Sequence, residues 1–127
     1  MDIKTKLSTL WIFATLNYLY ADVFTLFFVP GVQEEALMFT GGAAFVALAF
    51  AVVMETAIAM VLLARFLPYN ANRWSNIAMG ALHTLLVFWS VVEDTPEPFY
   101  AFFATIEIAT TLFIVWTAWK WKEQTSP

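Results

Sequence analysis

Four ionisable side chains, Asp22, Glu55, His83 and Glu107, lie one apiece in four long apolar runs of this chain. A charged group at the centre of a bilayer costs on the order of 2.5–3.5 kcal/mol on insertion scales, so such groups read first as functional. Three carboxyls and one imidazole at similar depth imply one shared polar centre. Its chemistry would be the binding of protons and of a cation. Desolvation disfavours ionised acids, and crowding of like charges disfavours them further. The expected state therefore has one acid paired with protonated His83 and at least one acid neutral. Asn17, Tyr18 and Trp89 complete the candidate lining. Taken singly, Asn17 reads as helix–helix glue, worth about 0.6 kcal/mol for such groups, and Tyr18 and Trp89 read as packing.

Other chemistries find less support. Carboxylate-bridged di-iron bundles place a His three residues after a Glu on two helices, and neither Glu55 nor Glu107 has one. No metal and no cofactor are expected. The chain has no cysteine, which removes disulfides and thiolate chemistry. It has no glycine-rich phosphate loop and no nucleophile elbow. An enzyme is not the favoured reading.

The elements that must position these groups follow from composition. The chain of 127 residues is 61% hydrophobic and 13% charged, with a mean hydropathy of +0.73; soluble domains carry about 25% charged residues. Spans are read at 7–29, 43–66, 75–92 and 98–118, each close to the roughly 20 residues that cross a bilayer core as helix. The whole of 1–127 is one transmembrane domain, since too little is left for a soluble one. The first run is too long, and Leu19-Tyr20-Ala21 too bulky, for a cleaved signal peptide, so the first helix is expected to be retained.

Connections are short. Pro30-Gly31 stops the first helix, Gly41-Gly42 precedes the second, 67–72 forms the next turn with Ser75 as N-cap, and Pro98 opens the fourth helix. Short connections force antiparallel neighbours, so the fold class is an all-α, up-down-up-down four-helix membrane bundle. All six basic residues (Lys4, Lys6, Arg65, Arg73, Lys120 and Lys122) fall on one side, whereas Glu34, Glu35, Glu93, Asp94 and Glu97 fall on the other. The positive-inside rule then places both termini in the cytoplasm. No basic stripe suits nucleic acid. Trp11, Trp74, Trp116, Trp119 and Trp121 cluster where an inner aromatic belt belongs.

Helical spacing of three and four decides which groups share a face. Ser8, Trp11, Thr15, Tyr18, Asp22 and Thr25 align on the first helix; Asn76, Gly80, His83, Val87 and Ser90 on the third; Tyr100, Ala104, Glu107 and Thr111 on the fourth. On the second, Ala44, Ala47, Ala51, Glu55 and Ala59 form a stripe of small residues, a surface that lets helices approach closely. All four faces are expected to point inward, around a centre open toward the acidic side.

The run from Lys6 through Trp11 to Phe13, the segment Asn17-Tyr18-Leu19-Tyr20-Ala21-Asp22, the pair Met54-Glu55, and Asn72-Arg73 followed by Asn76, Gly80 and His83 resemble a bacterial domain-of-unknown-function family of small four-helix membrane proteins. The likeness covers nearly the whole chain. That family is similar to the wider DoxX-like group, which implies a bacterial inner-membrane location and a link to quinone-coupled redox complexes. A looser likeness to four-helix sterol-binding membrane proteins would match Asp22 and Glu55 to their paired acids.

The expected function is a membrane protein with a proton-linked acidic site for a small cationic or amphipathic ligand, with transport as one use of it. The other reading is an enzyme or redox subunit acting on a quinone or lipid, with Tyr18, Trp89 and the acids lining the pocket and Glu55 and His83 handling protons. The expected partners are the lipid bilayer and that ligand. A lone four-helix bundle encloses little volume, which leaves room for a homodimer.

Overall fold

Proline placement explains the helix boundaries. The five prolines, at 30, 68, 96, 98 and 127, leave the apolar runs uninterrupted, and an interior proline would remove a ladder hydrogen bond and kink the helix. The computed structural model describes residues 1–32, 42–93 and 95–123, with the side chains of 42–44 and 46 left aside. The described residues form four long helices: α1 (Ile3–Phe28), α2 (Gly42–Phe66), α3 (Tyr69–Val92) and α4 (Pro98–Lys120). Each is long and apolar enough to cross a membrane. The fold is the expected all-α four-helix bundle. Gly41, Glu34, Glu35 and Asp94 lie outside the described residues.

Two starts differ from the sequence expectation. Helix α1 begins at Ile3 rather than at residue 7, because the Asp2 carboxylate caps it by accepting the Thr5 N–H at 2.8 Å. That bond holds the Asp2 carboxyl below its ordinary range. Helix α3 begins at Tyr69, six residues ahead of Ser75, with Pro68 as its N-cap. Proline is free to precede a helix, and Asn72 then serves the helix before it: its Nδ2 donates to Ala64 O at 2.7 Å and Leu67 O at 3.2 Å. The carbonyls at the end of α2, which helix geometry leaves unpaired, are thus satisfied by the next helix. Pro98 opens α4 as expected, and Gly31 holds the positive φ of 83° that ends the α1 turn.

Packing runs α2–α1–α4–α3 around the bundle, and the seam between α2 and α3 is the sparsest. At the end that carries the basic residues, the interior is dense. Trp11 Nε1 donates to Asn76 Oδ1 at 2.8 Å, and Asn76 Nδ2 donates to Asn72 Oδ1 at 2.7 Å. Ser8 Oγ donates to Val61 O at 2.7 Å and accepts from Arg65 Nε at 3.2 Å. Trp11 is therefore a buried core residue rather than part of a belt; Trp74, Trp116 and Trp119 are exposed. Gly80 lets α3 and α4 touch: a Cβ there would meet Val115 Cγ2 at 2.7 Å and Thr111 O at 3.2 Å.

Candidate functional site

The other half of the bundle holds a cavity of about 550 Å³. Helix α1 supplies Tyr18, Ala21 and Asp22; α2 supplies Phe45, Ala49, Phe50, Val53 and Met54; α3 supplies His83, Leu86, Val87, Trp89, Ser90 and Glu93; α4 supplies Tyr100 and Glu107. The α1–α4 seam beside it is closed by ring contacts of Phe24 with Phe99 and Phe103 at 5.9 and 5.4 Å. Tyr100 Oη donates to Ser90 Oγ at 3.0 Å and ties α4 to α3. Residues of α2 and α3, the pair joined by the sparsest seam, supply most of the cavity wall.

His83 sits at the centre, 1% exposed, and joins three helices. Tyr18 Oη lies 3.1 Å from Nδ1 and Thr56 Oγ1 lies 2.9 Å from Nε2. Thr56 donates its one hydroxyl hydrogen to Val53 O, so it can only accept from the imidazole. Nε2 then carries a proton, and Nδ1 shares a hydrogen bond with the Tyr18 hydroxyl, so both ring nitrogens are satisfied. The Tyr18 ring stacks on the imidazole at 5.5 Å and Trp11 meets it edge-on at 5.4 Å. The expected pairing of protonated His83 with an acid is replaced by two hydroxyl partners, and no ion pair is found among the described residues.

The acids behave differently. Glu107 is 4% exposed and its Oε1 is buried with no hydrogen-bond partner among the described residues. Asp22 lines the cavity one turn after Tyr18 and has no bonded partner among the described residues. Glu93 is exposed at the rim. Three carboxyls thus face one cavity whose lining holds no Lys or Arg and is otherwise largely apolar. The described residues hold no group of three or more His, Cys, Asp or Glu side chains placed to share a metal ion.

Asp22, His83, Glu107, Tyr18 and Trp89 therefore meet, and Glu55 and Asn17 do not. Glu55 is exposed on the outer face of α2, along with Ala47 and Ala51; the Ala44 side chain lies outside the described residues. The face that α2 buries carries Ala57, Met60 and Ala64. Two residues of helix separate Glu55 from Ala57, a turn of roughly 200° at 3.6 residues per turn, which carries the carboxyl away from the core. Asn17 is outside the lining, with its Nδ2 donating to Phe13 O of its own helix at 2.8 Å. Thr56 is the residue that sequence reasoning passed over; the signal was a hydroxyl next to an acid in an otherwise featureless apolar run.

Residues 2–126 match a family described as a family of unknown function, DUF6326. No curated protein and no solved structure matches the chain.

Proposed function

We propose, for a chain that belongs to the DUF6326 family of unknown function, that it is a multi-pass protein of the bacterial inner membrane that binds an amphipathic cation. The cationic head sits between Asp22 and Glu107, the apolar body lies against Phe45, Phe50, Leu86 and Trp89, and the ligand enters from the bilayer through the α2–α3 seam. The observation that carries this reading is the buried Glu107 Oε1, without a hydrogen-bond partner among the described residues, in a cavity lined by three carboxyls and by no Lys or Arg. A carboxylate taken out of water without a countercharge is strongly disfavoured. Glu107 is neutralised either by a proton or by a cation, and the two compete. Binding that displaces a proton strengthens as pH rises.

The DoxX-like redox role, with a quinone as ligand, is the second reading. The aromatic walls at Trp89 and Tyr100 favour it. Against it, the groups best suited to hold quinone oxygens, Tyr18 and His83, are already bonded to each other.

The test is a titration of the purified chain in nanodiscs with a hydrophobic primary amine and with a short-chain quinone, read by tryptophan fluorescence. The amine should bind, more tightly at higher pH. Glu107→Gln and Asp22→Asn should each weaken it at least about tenfold, in keeping with the loss of a charge-assisted contact, and Glu107→Gln should flatten the pH response. Amine affinity unchanged in both variants overturns the cation reading, and quinone binding alone favours the second.

A further inference from the structure

At the opposite end of the bundle, a groove of about 570 Å³ runs between the start of α3 and the end of α4. We propose that it is a second binding site, for a phosphate-bearing anion such as the head group of an acidic phospholipid. Arg73, Lys120 and Lys122 line it together with Tyr69, Trp116 and Trp119, and among the described residues no carboxylate does. Its charge is thus the reverse of the cavity's, and its ligand must be the reverse as well.

Arg73 is held in place by its surroundings. Its Nε donates to Ala118 O and its Nη2 to Trp119 O, both at 3.1 Å. The guanidinium lies 4.9 Å from the Trp74 ring centre and 5.4 Å from that of Trp119. Capping the last carbonyls of α4 uses two of the five guanidinium N–H donors. Three remain, on a planar fork that suits two phosphate oxygens at once. Lys120 Nζ sits 4.5 Å above the Trp116 ring, a second cation on the lining of the same groove.

Position selects among anions. Tyr69 is the first residue of α3 and Lys120 the last of α4, so the groove lies at the span ends, at the depth of lipid head groups. Trp116 and Trp119 are more than half exposed. Indole rings at that level place an apolar body against acyl chains and an N–H toward head groups. A capping role alone accounts for Arg73 but gives no reason for two further cations in the same groove.

The experiment uses the full chain in detergent, with bound lipid counted by native mass spectrometry. Dioleoyl phosphatidylglycerol and dioleoyl phosphatidylcholine are titrated in parallel, and inorganic phosphate is added as competitor. Phosphatidylglycerol should bind preferentially. Lys120→Gln and Lys122→Gln should each weaken it about fivefold, the factor expected for one basic residue near a lipid surface. Neither change touches the Arg73 cap, so folding is preserved. Arg73→Lys keeps the charge but loses the fork, and should weaken binding more than either lysine change. Displacement of the lipid by millimolar phosphate supports a site that reads the phosphate itself and admits a soluble source. Retention of phosphatidylglycerol against phosphate supports the lipid as source. Equal binding of the two lipids with no effect of phosphate overturns the proposal, as does phosphatidylglycerol binding that Lys120→Gln and Lys122→Gln leave unchanged.

Discussion

Adjacent polar residues take opposite roles at two places in this bundle. Thr56 turns inward to His83 and its neighbour Glu55 turns out; Tyr18 turns inward to the same imidazole and its neighbour Asn17 bonds back to its own helix. Neighbours on a helix stand about 100° apart, so at these two places the rotation that turns one residue to the core leaves the other off it. Thr56→Val removes the acceptor of the Nε2 hydrogen and leaves it buried and unpaired. Stability should fall by about 0.6 kcal/mol, with 1.7 kcal/mol as the upper end for such bonds in membranes, as measured by reversible unfolding in mixed micelles. Glu55→Gln should leave amine affinity at the wild-type value, because the side chain lies outside the cavity. A loss equal to that of Glu107→Gln would show that Glu55 reaches the ligand after all.

Helices α3 and α4 are joined more intimately than the other pairs, and Gly80 is the reason. Alanine is the better helix former by about 0.8–1.0 kcal/mol, so Gly80→Ala would stabilise an isolated helix. Here the added methyl would sit 2.7 Å from Val115 Cγ2 and 3.2 Å from the Thr111 carbonyl oxygen, and a backbone oxygen cannot retreat unless α4 moves. Overpacking costs about 1–3 kcal/mol, which exceeds the propensity gain over most of its range. Gly80→Ala should lower the midpoint of thermal unfolding and Gly80→Val should lower it further. A midpoint raised by Gly80→Ala would mean that the contact yields. The Thr84 and Thr111 hydroxyls, 2.6 Å apart across the same interface, should lose that contact in parallel.

The molecule is polarised end to end. Lys4, Lys6, Arg65, Arg73, Lys120 and Lys122 occupy the end formed by the start of α1 and α3 and the close of α2 and α4; the cavity with Asp22, Glu93 and Glu107 occupies the other half. The basic residues are bound into the structure there, with Lys6 over Phe113 at 4.9 Å and Arg65 bonded to Ser8. The positive-inside rule gives this asymmetry a direction. Reporter fusions at residue 127 should be active in the cytoplasm, and fusions within 93–97 should be active outside it. A cytoplasmic signal from the 93–97 fusion would reverse the proposed orientation and turn the cavity toward the cell interior.

What the sequence determined by itself was the class, the number of helices and the charge polarity. Long apolar runs in which every backbone group must be satisfied internally leave little choice but helices, and prolines confined to the run ends mark where those helices stop. The inward faces of α3 and α4 were also legible, because His83 with Asn76 and Gly80, and Glu107 with Thr111, repeat at helical spacing and are buried together. The phase of α2 was not. Nearly every residue of that helix is apolar and several are alanine, so no stripe distinguishes core from surface, and a lone acid gives no period to follow. Only the packing of Ala57, Met60 and Ala64 against the bundle sets its rotation. That rotation sends Glu55 out, brings Thr56 to His83 and leaves Glu107 rather than Glu55 as the buried acid of the cavity. The sparse seam between α2 and α3 was equally a tertiary decision, since no residue pattern along either helix records the distance between them.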